Sequence, residues 1–161
     1  MKTLRDLLQH EIQDLYSAET QFIEAVPSLA ESITSHDMKS LVDDILQESK
    51  DQRERLVEVS KILEVNPEKE TCKAMAGLIR EAKDMTAMEA EDEVKDAGMI
   101  AEFQRIAHYQ IAGYGSACTY AEMTGEKQVL NHLKKTLNEE KEADERLKKL
   151  AKAQINEEAM A

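Results

Sequence analysis

Residues 8–33 read LQHEIQDLYSAETQFIEAVPSLAESI, and Leu8, Ile12, Leu15, Phe22, Val26, Leu29 and Ile33 punctuate that stretch at helical spacing. Fours and threes alternate along it, the seam of helices packed nearly antiparallel. Where the rhythm calls for one more apolar side chain, the chain has Glu19. A carboxylate at a seam loses its water, so it needs a partner or a bound ion to offset a desolvation cost of several kcal/mol.

The interruption recurs in three further stretches. Leu41, Ile45, Leu56, Val59 and Leu63 form a second seam broken by Glu48 and Gln52, and Leu130, Leu133, Leu137, Leu147 and Ala151 form another broken by Glu140 and Asp144. Between them Ala97, Ala101, Gln104, His108, Ile111, Gly115 and Cys118 make a seam of small residues in which His108 is the exception. Members of each pair differ by four and share one helix face.

The boundaries follow from local chemistry. Thr3 caps a first helix running to about Ile33, and Ser35 or Asp37 caps the second. Asn66-Pro67 ends it. A short helix spans about Cys72 to Met85, a third long one Asp92 to Met123, and Gly125 turns the chain into a last one from Lys127 into the 150s. The whole, 1–161, is expected to be a single helical-bundle domain with a crossover over about 64–91 and a frayed tail over about 156–161.

Composition agrees. Only 4% of the 161 residues are aromatic and none is Trp, with five Gly, two Pro and 34% charged, so the chain is read as all-α. A net charge of -12 argues against a nucleic-acid partner, because phosphate binding needs clustered Lys and Arg, and it favours cations. No apolar window approaches a membrane span and the N-terminus lacks a secretory core, so no membrane partner is expected and the location is read as cytoplasmic. Cys72 and Cys118 are far apart and read as buried free thiols.

Helix arithmetic brings the interruptions to one height. With a turn near residue 34, Glu19 and Glu48 stand about equally far from it, and with a turn near Gly125, so do His108 and Glu140. Shifting Glu48 and Gln52 by 92 gives Glu140 and Asp144, a weak internal duplication that would face two half-sites across the bundle. Glu19, Glu48, Gln52, His108, Glu140 and Asp144 are therefore the candidate metal ligands, with Tyr16 as a supporting donor. Oxygen ligands with one imidazole suit iron or manganese, and bridging carboxylates would hold two ions within about 4 Å.

The alternative is a metal-free hydrogen-bond network of these residues with Tyr16 or Tyr109 that sets helix register. His10, His36 and His132 read as surface or capping residues, and Glu139, Glu142 and Glu145 as a solvated face.

The runs DLYSAETQ (14–21), CKAMAGLIREA (72–82), HYQIAGYG (108–115) and LKKTLNEEKEAD (133–144) resemble the YciE/YciF-like family of bacterial stress-response proteins over nearly the whole chain. The resemblance implies a ferritin-like four-helix bundle with an extra short helix in the crossover between the second and third long helices. It further implies a homodimer and a di-iron-type site. The family's candidate ligands fall on Glu19, Glu48, His108, Glu140 and Asp144. Two positions depart from the family: Gln52 stands where relatives often have His, and Ala107 where they often have an acid. The expected function is thus a stress-response bundle holding two iron or manganese ions, with oxygen- or peroxide-linked redox chemistry. A metal-free structural dimer is the competing reading.

Overall fold

The computed structural model describes residues 1–155, 157, 159 and 160, so positions 156, 158 and 161 of the expected frayed tail lie outside the described residues. Five α-helices follow in order: α1 (Leu4–Ala30), α2 (His36–Leu63), α3 (Lys73–Ala87), α4 (Asp92–Met123) and α5 (Lys127–Leu150), and the described residues contain no strand. Thr3 caps α1 in a capping box with Asp6, and Ser35 caps α2 by accepting from the Met38 amide. A wider turn over Ala151–Ile155 continues α5.

Helix α1 packs on α2, α2 on α5, α5 on α4, and α4 back on α1, which closes a four-helix ring; α3 lies over the α1–α4 side. At Gly113 a Cβ would come within 2.9 Å of Leu15 Cδ2, so the missing side chain lets α1 and α4 approach closely. Gly125, with φ at 76°, turns α4 into α5 in a conformation that L side chains adopt at a cost. Gly125→Ala is expected to cost about 1 kcal/mol and lower the melting temperature by roughly 2–4 °C in a calorimetric scan.

The core has two apolar compartments. One gathers Phe22, Val26, Ile45, Phe103, Ile106 and Leu147; the other gathers Leu8, Leu15, Leu56, Val59, Ala117 and Leu133. Between them, in sequence height, fall the buried polar residues Glu19, Ser49, Gln52, Gln110 and Glu140. Apolar burial on both sides fixes the helices around this layer.

Polar side chains of α1 hold the crossover. Gln9 and Gln13 donate their amides to the carbonyls of Leu63 (3.0 Å) and Asn66 (2.7 Å), and Gln21 donates to that of Cys72 (3.0 Å). Ser17 Oγ accepts from the Cys72 amide at 2.9 Å. Cys72 then caps α3, its Sγ accepting from the Met75 amide at 3.3 Å and lying 2.9 Å from the Tyr109 hydroxyl. Tyr109 donates to Asp14 Oδ2 at 2.5 Å. The two cysteines are buried and free, as expected.

The α1–α2 turn is pinned from across the bundle. Asp96 of α4, almost fully buried, accepts from the Thr34 amide (2.9 Å), the Thr34 hydroxyl (2.8 Å) and the Ser35 amide (2.8 Å).

The seam expected on α4 is rotated from the observed one. Met99, Phe103, Ala107, Gln110, Tyr114, Ala117 and Ala121 are buried, whereas of the expected series only Cys118 is. Helix α4 touches α1, α3 and α5, so apolar residues surround most of it and no single stripe dominates.

Candidate metal centre

Helix α1 delivers Glu19 to the middle of the bundle with no exposed surface. Its Oε1 accepts a 2.8 Å hydrogen bond from the Tyr114 hydroxyl, while its buried Oε2 meets no donor in hydrogen-bond geometry among the described residues. Helix α5 brings Glu140, 4% exposed, to the same place, and α2 brings Gln52, 1% exposed. Gln52 donates to Glu139 at 3.2 Å and supports the Glu140 carboxylate, yet its Oε1 has no partner.

Two carboxylates in one dry layer oppose each other's ionisation. Burial pushes Glu19 up from its ordinary 4.5 to about 8, against the lowering effect of Tyr114, Gln110 and the Arg55 and Arg53 charges. Burial first, and the Glu19 charge second, push Glu140 well above the carboxylate range. Burial and the same Glu19 charge drive the Tyr114 hydroxyl upward, which keeps it a donor. Arg55, the nearest strong cation, is engaged by Glu139 in a two-pronged pair at 2.9 and 3.1 Å and also donates to Thr136.

The remaining three predicted residues stand at the edges of this layer. Glu48 is half-buried and paired to Arg146 at 2.6 Å. Asp144 accepts from Gln104 at 3.0 Å and pairs with Lys148 at 2.5 Å; its other neighbour, His108 Nε2, is 3.1 Å away. The His108 side chain is 60% exposed. Hydrogen bonds from Lys148 and Gln104 outweigh burial and hold Asp144 below the usual carboxylate range. The duplication that matched Glu48 to Glu140 therefore does not describe the centre, where Gln52 faces Glu140.

Tyr114 and Gln110 were missed by the sequence reading, which assigned the supporting role to Tyr16 or Tyr109. The signal existed: Phe103, Ala107, Gln110, Tyr114, Ala117 and Ala121 also alternate by fours and threes, and Gln110 and Glu140 stand fifteen residues on either side of Gly125. Glu139, read as part of a solvated face, instead binds Arg55 and Gln52 because it sits at the α2–α5 contact.

Among the described residues no three carboxylate, imidazole or thiolate groups converge closely enough to hold a metal together. What the centre does offer is two carboxylates and an amide, with the free oxygens Glu19 Oε2 and Gln52 Oε1 unpartnered. Carboxylate and amide oxygens are hard donors of the kind that hold a hard divalent cation, and a cation there would have to displace the protons that burial keeps on Glu19 and Glu140. A second ion fits only if Glu48 leaves Arg146 and Asp144 leaves Lys148.

The family model for a domain of unknown function, DUF892, matches residues 3–160. The protein YciF of Escherichia coli (strain K12) is 38% identical over 162 residues, which cover 99% of this chain and 96% of that protein. The crystal structure of the E. coli stress protein YciF superimposes with a TM-score of 0.92 at 36% identity, covering 97% of this chain and 99% of that one. YcfI from Rhodopseudomonas palustris, provisionally described as a structural protein, gives 0.89 at 37% identity, covering 92% and 94%. A Xanthomonas campestris protein shares the fold, with a TM-score of 0.78 at 19% identity over 99% of this chain and 100% of that one.

Proposed function

The chain belongs to the DUF892 family, and from that membership we propose that it is a ferritin-like stress protein that holds a hard divalent cation, iron or manganese, between Glu19 and Glu140. One observation carries this reading: two buried carboxylates that, among the described residues, have no cation in contact, beside oxygens of Glu19 and Gln52 that meet no donor there. A divalent ion is the partner that such a set lacks. Glu19, Glu140 and Gln52 hold it; Tyr114 orients Glu19 through its hydroxyl, and Glu48 with Asp144 and His108 form the outer set for a second ion. Bound iron or manganese supplies one-electron exchange with oxygen or peroxide.

The homodimer and the cytoplasmic location belong to the same proposal. No helix among the described residues is long and apolar enough to cross a membrane.

A metal-free reading is favoured by the same electrostatics, since a shared proton also relieves the pair. Metal analysis separates the two. Protein produced in iron- and manganese-supplied medium is expected to carry about one ion per chain, and saturating that ion at a hundredfold excess over its Kd should add about 2.7 kcal/mol of stability. Glu19→Gln together with Glu140→Gln should abolish both. No bound metal, and a melting temperature indifferent to chelator, would leave the register network as the function of the layer.

A further inference from the structure

The polar layer is short of donors. Glu19 Oε2 and Gln52 Oε1 are both buried acceptors that meet no donor among the described residues. Arg55 stands three residues beyond Gln52 on α2, which makes the two side chains neighbours on one helix face. Its guanidinium carries five N–H groups in a rigid fork, more than any other side chain can offer the layer.

That supply is turned aside. Arg55 Nη1 donates to the Thr136 hydroxyl and to Glu139 Oε2 at 2.9 Å, and Nη2 donates to Glu139 Oε1 at 3.1 Å. The grip is not a surface one, because Thr136 is 1% exposed and the Arg55 side chain 12%. Thr136 precedes Glu140 by four residues on α5, so the hydroxyl that Arg55 touches belongs to a side chain rooted about 5–6 Å from that of Glu140. The Arg55 charge is already felt at the centre, where it opposes the upward push on both Glu19 and Tyr114. Of the two groups that hold the guanidinium, only Glu139 is an anion, and a two-pronged carboxylate pair is the stronger bond. Glu139 therefore decides where Arg55 sits.

We propose that Glu139 is a positioning residue that keeps the buried site open by holding Arg55 about one turn away, and that Arg55, once released, closes the site by donating to Glu19 Oε2 and Gln52 Oε1. The guanidinium and a divalent ion need the same oxygens, so each excludes the other. The consequence for metal rests on the cation-binding reading, whereas the movement of Arg55 does not, and the two are tested apart.

Crystals of chelated Glu139→Ala should show the Arg55 guanidinium within hydrogen-bond distance of Glu19 Oε2, while chelated wild type keeps it on Glu139. Alanine leaves no acceptor at position 139 and suits a helix; should that variant not fold, the isosteric Glu139→Gln is read in the same way. A guanidinium that stays on Thr136 or turns to solvent overturns the proposal. In calorimetric titration with Mn(II), Glu139→Ala should bind about tenfold more weakly than wild type, the loss expected when Arg55 fills the site about nine-tenths of the time. Adding Arg55→Met should restore the affinity. Adding Lys135→Met, which removes an equal charge 4.0 Å from Glu139 on its solvent side, should not. Restoration by both would reduce the effect to net charge and overturn the proposal. Arg55 seated on Glu19 in a protein that takes up no Mn(II) overturns the cation reading alone. Equal Mn(II) binding by wild type and Glu139→Ala, with Arg55 unmoved, overturns this proposal alone.

Discussion

Stripped of metal, the protein is expected to lose stability as the pH rises from about 4.5 to about 8, and Glu19→Gln is expected to remove most of that loss. Glu19 keeps its proton in the folded protein up to about 8 because burial disfavours the charge, whereas the unfolded chain gives it up near the ordinary 4.5. Over that range the folded state binds more protons than the unfolded one, so the slope of stability against pH is negative. At about 1.4 kcal/mol per unit the whole range is worth on the order of 4 kcal/mol, a large part of the roughly 5–15 kcal/mol that holds a domain together. Glu140, pushed in the same direction by burial and by Glu19, titrates with it. Urea unfolding in chelator at pH 5 and at pH 8 measures the difference; equal midpoints would remove the basis for an uncompensated pair. Loaded protein should behave in the opposite sense, because the cation displaces the proton and binds more tightly as the pH rises.

Asp96→Ala is expected to cost roughly 3–5 kcal/mol, since it strips three hydrogen bonds from the α1–α2 turn and leaves the Thr34 and Ser35 amides without their partner. Asp96→Asn keeps one acceptor oxygen and should cost about half as much. The measurement is urea unfolding at constant pH, and a loss below about 1 kcal/mol for the alanine variant would show that water replaces the carboxylate at the turn. Nothing in the local pattern points to Asp96, whose partners lie about sixty positions away. Its role appears only when α4 is laid against the turn.

The rest of the bundle was legible in proportion to how one-sided each helix is. Helix α1 turns one apolar face to the ring, and all of Leu8, Ile12, Leu15, Glu19, Phe22, Val26, Leu29 and Ile33 are buried as their spacing implies. Gln52, Glu140 and Asp144 are buried as the same logic implies, and the bounds of α4, Asp92 to Met123, follow from the acidic entry and the Gly125 exit. The face of α4 was not legible. With neighbours on three sides it buries Asp96, Glu102 and Gln110 alongside apolar residues, so a seam through Gln110 and one through His108 fit its spacing equally well. That rotation explains why Tyr114 and Gln110 were overlooked. Glu48 lies half-buried for another reason: Arg146, on the facing helix, pairs with it at the rim, and that pairing is a tertiary contact.

The polar side chains at 9, 13, 17 and 21 recur every four residues up one edge of α1, and the carbonyls and amide they hold belong to positions 63, 66 and 72. They act as a ruler. The connection out of α2 is laid off against a rigid scale about 1.5 Å per residue, so its length is measured rather than slack. One residue inserted between Glu64 and Thr71 would have to bulge outward or advance Cys72 past Ser17, and the second course would turn α3 and the Tyr109–Asp14 bond out of register together. Long connections between helices ordinarily tolerate such changes well. Here the outer edge of a helix sets the length of a loop.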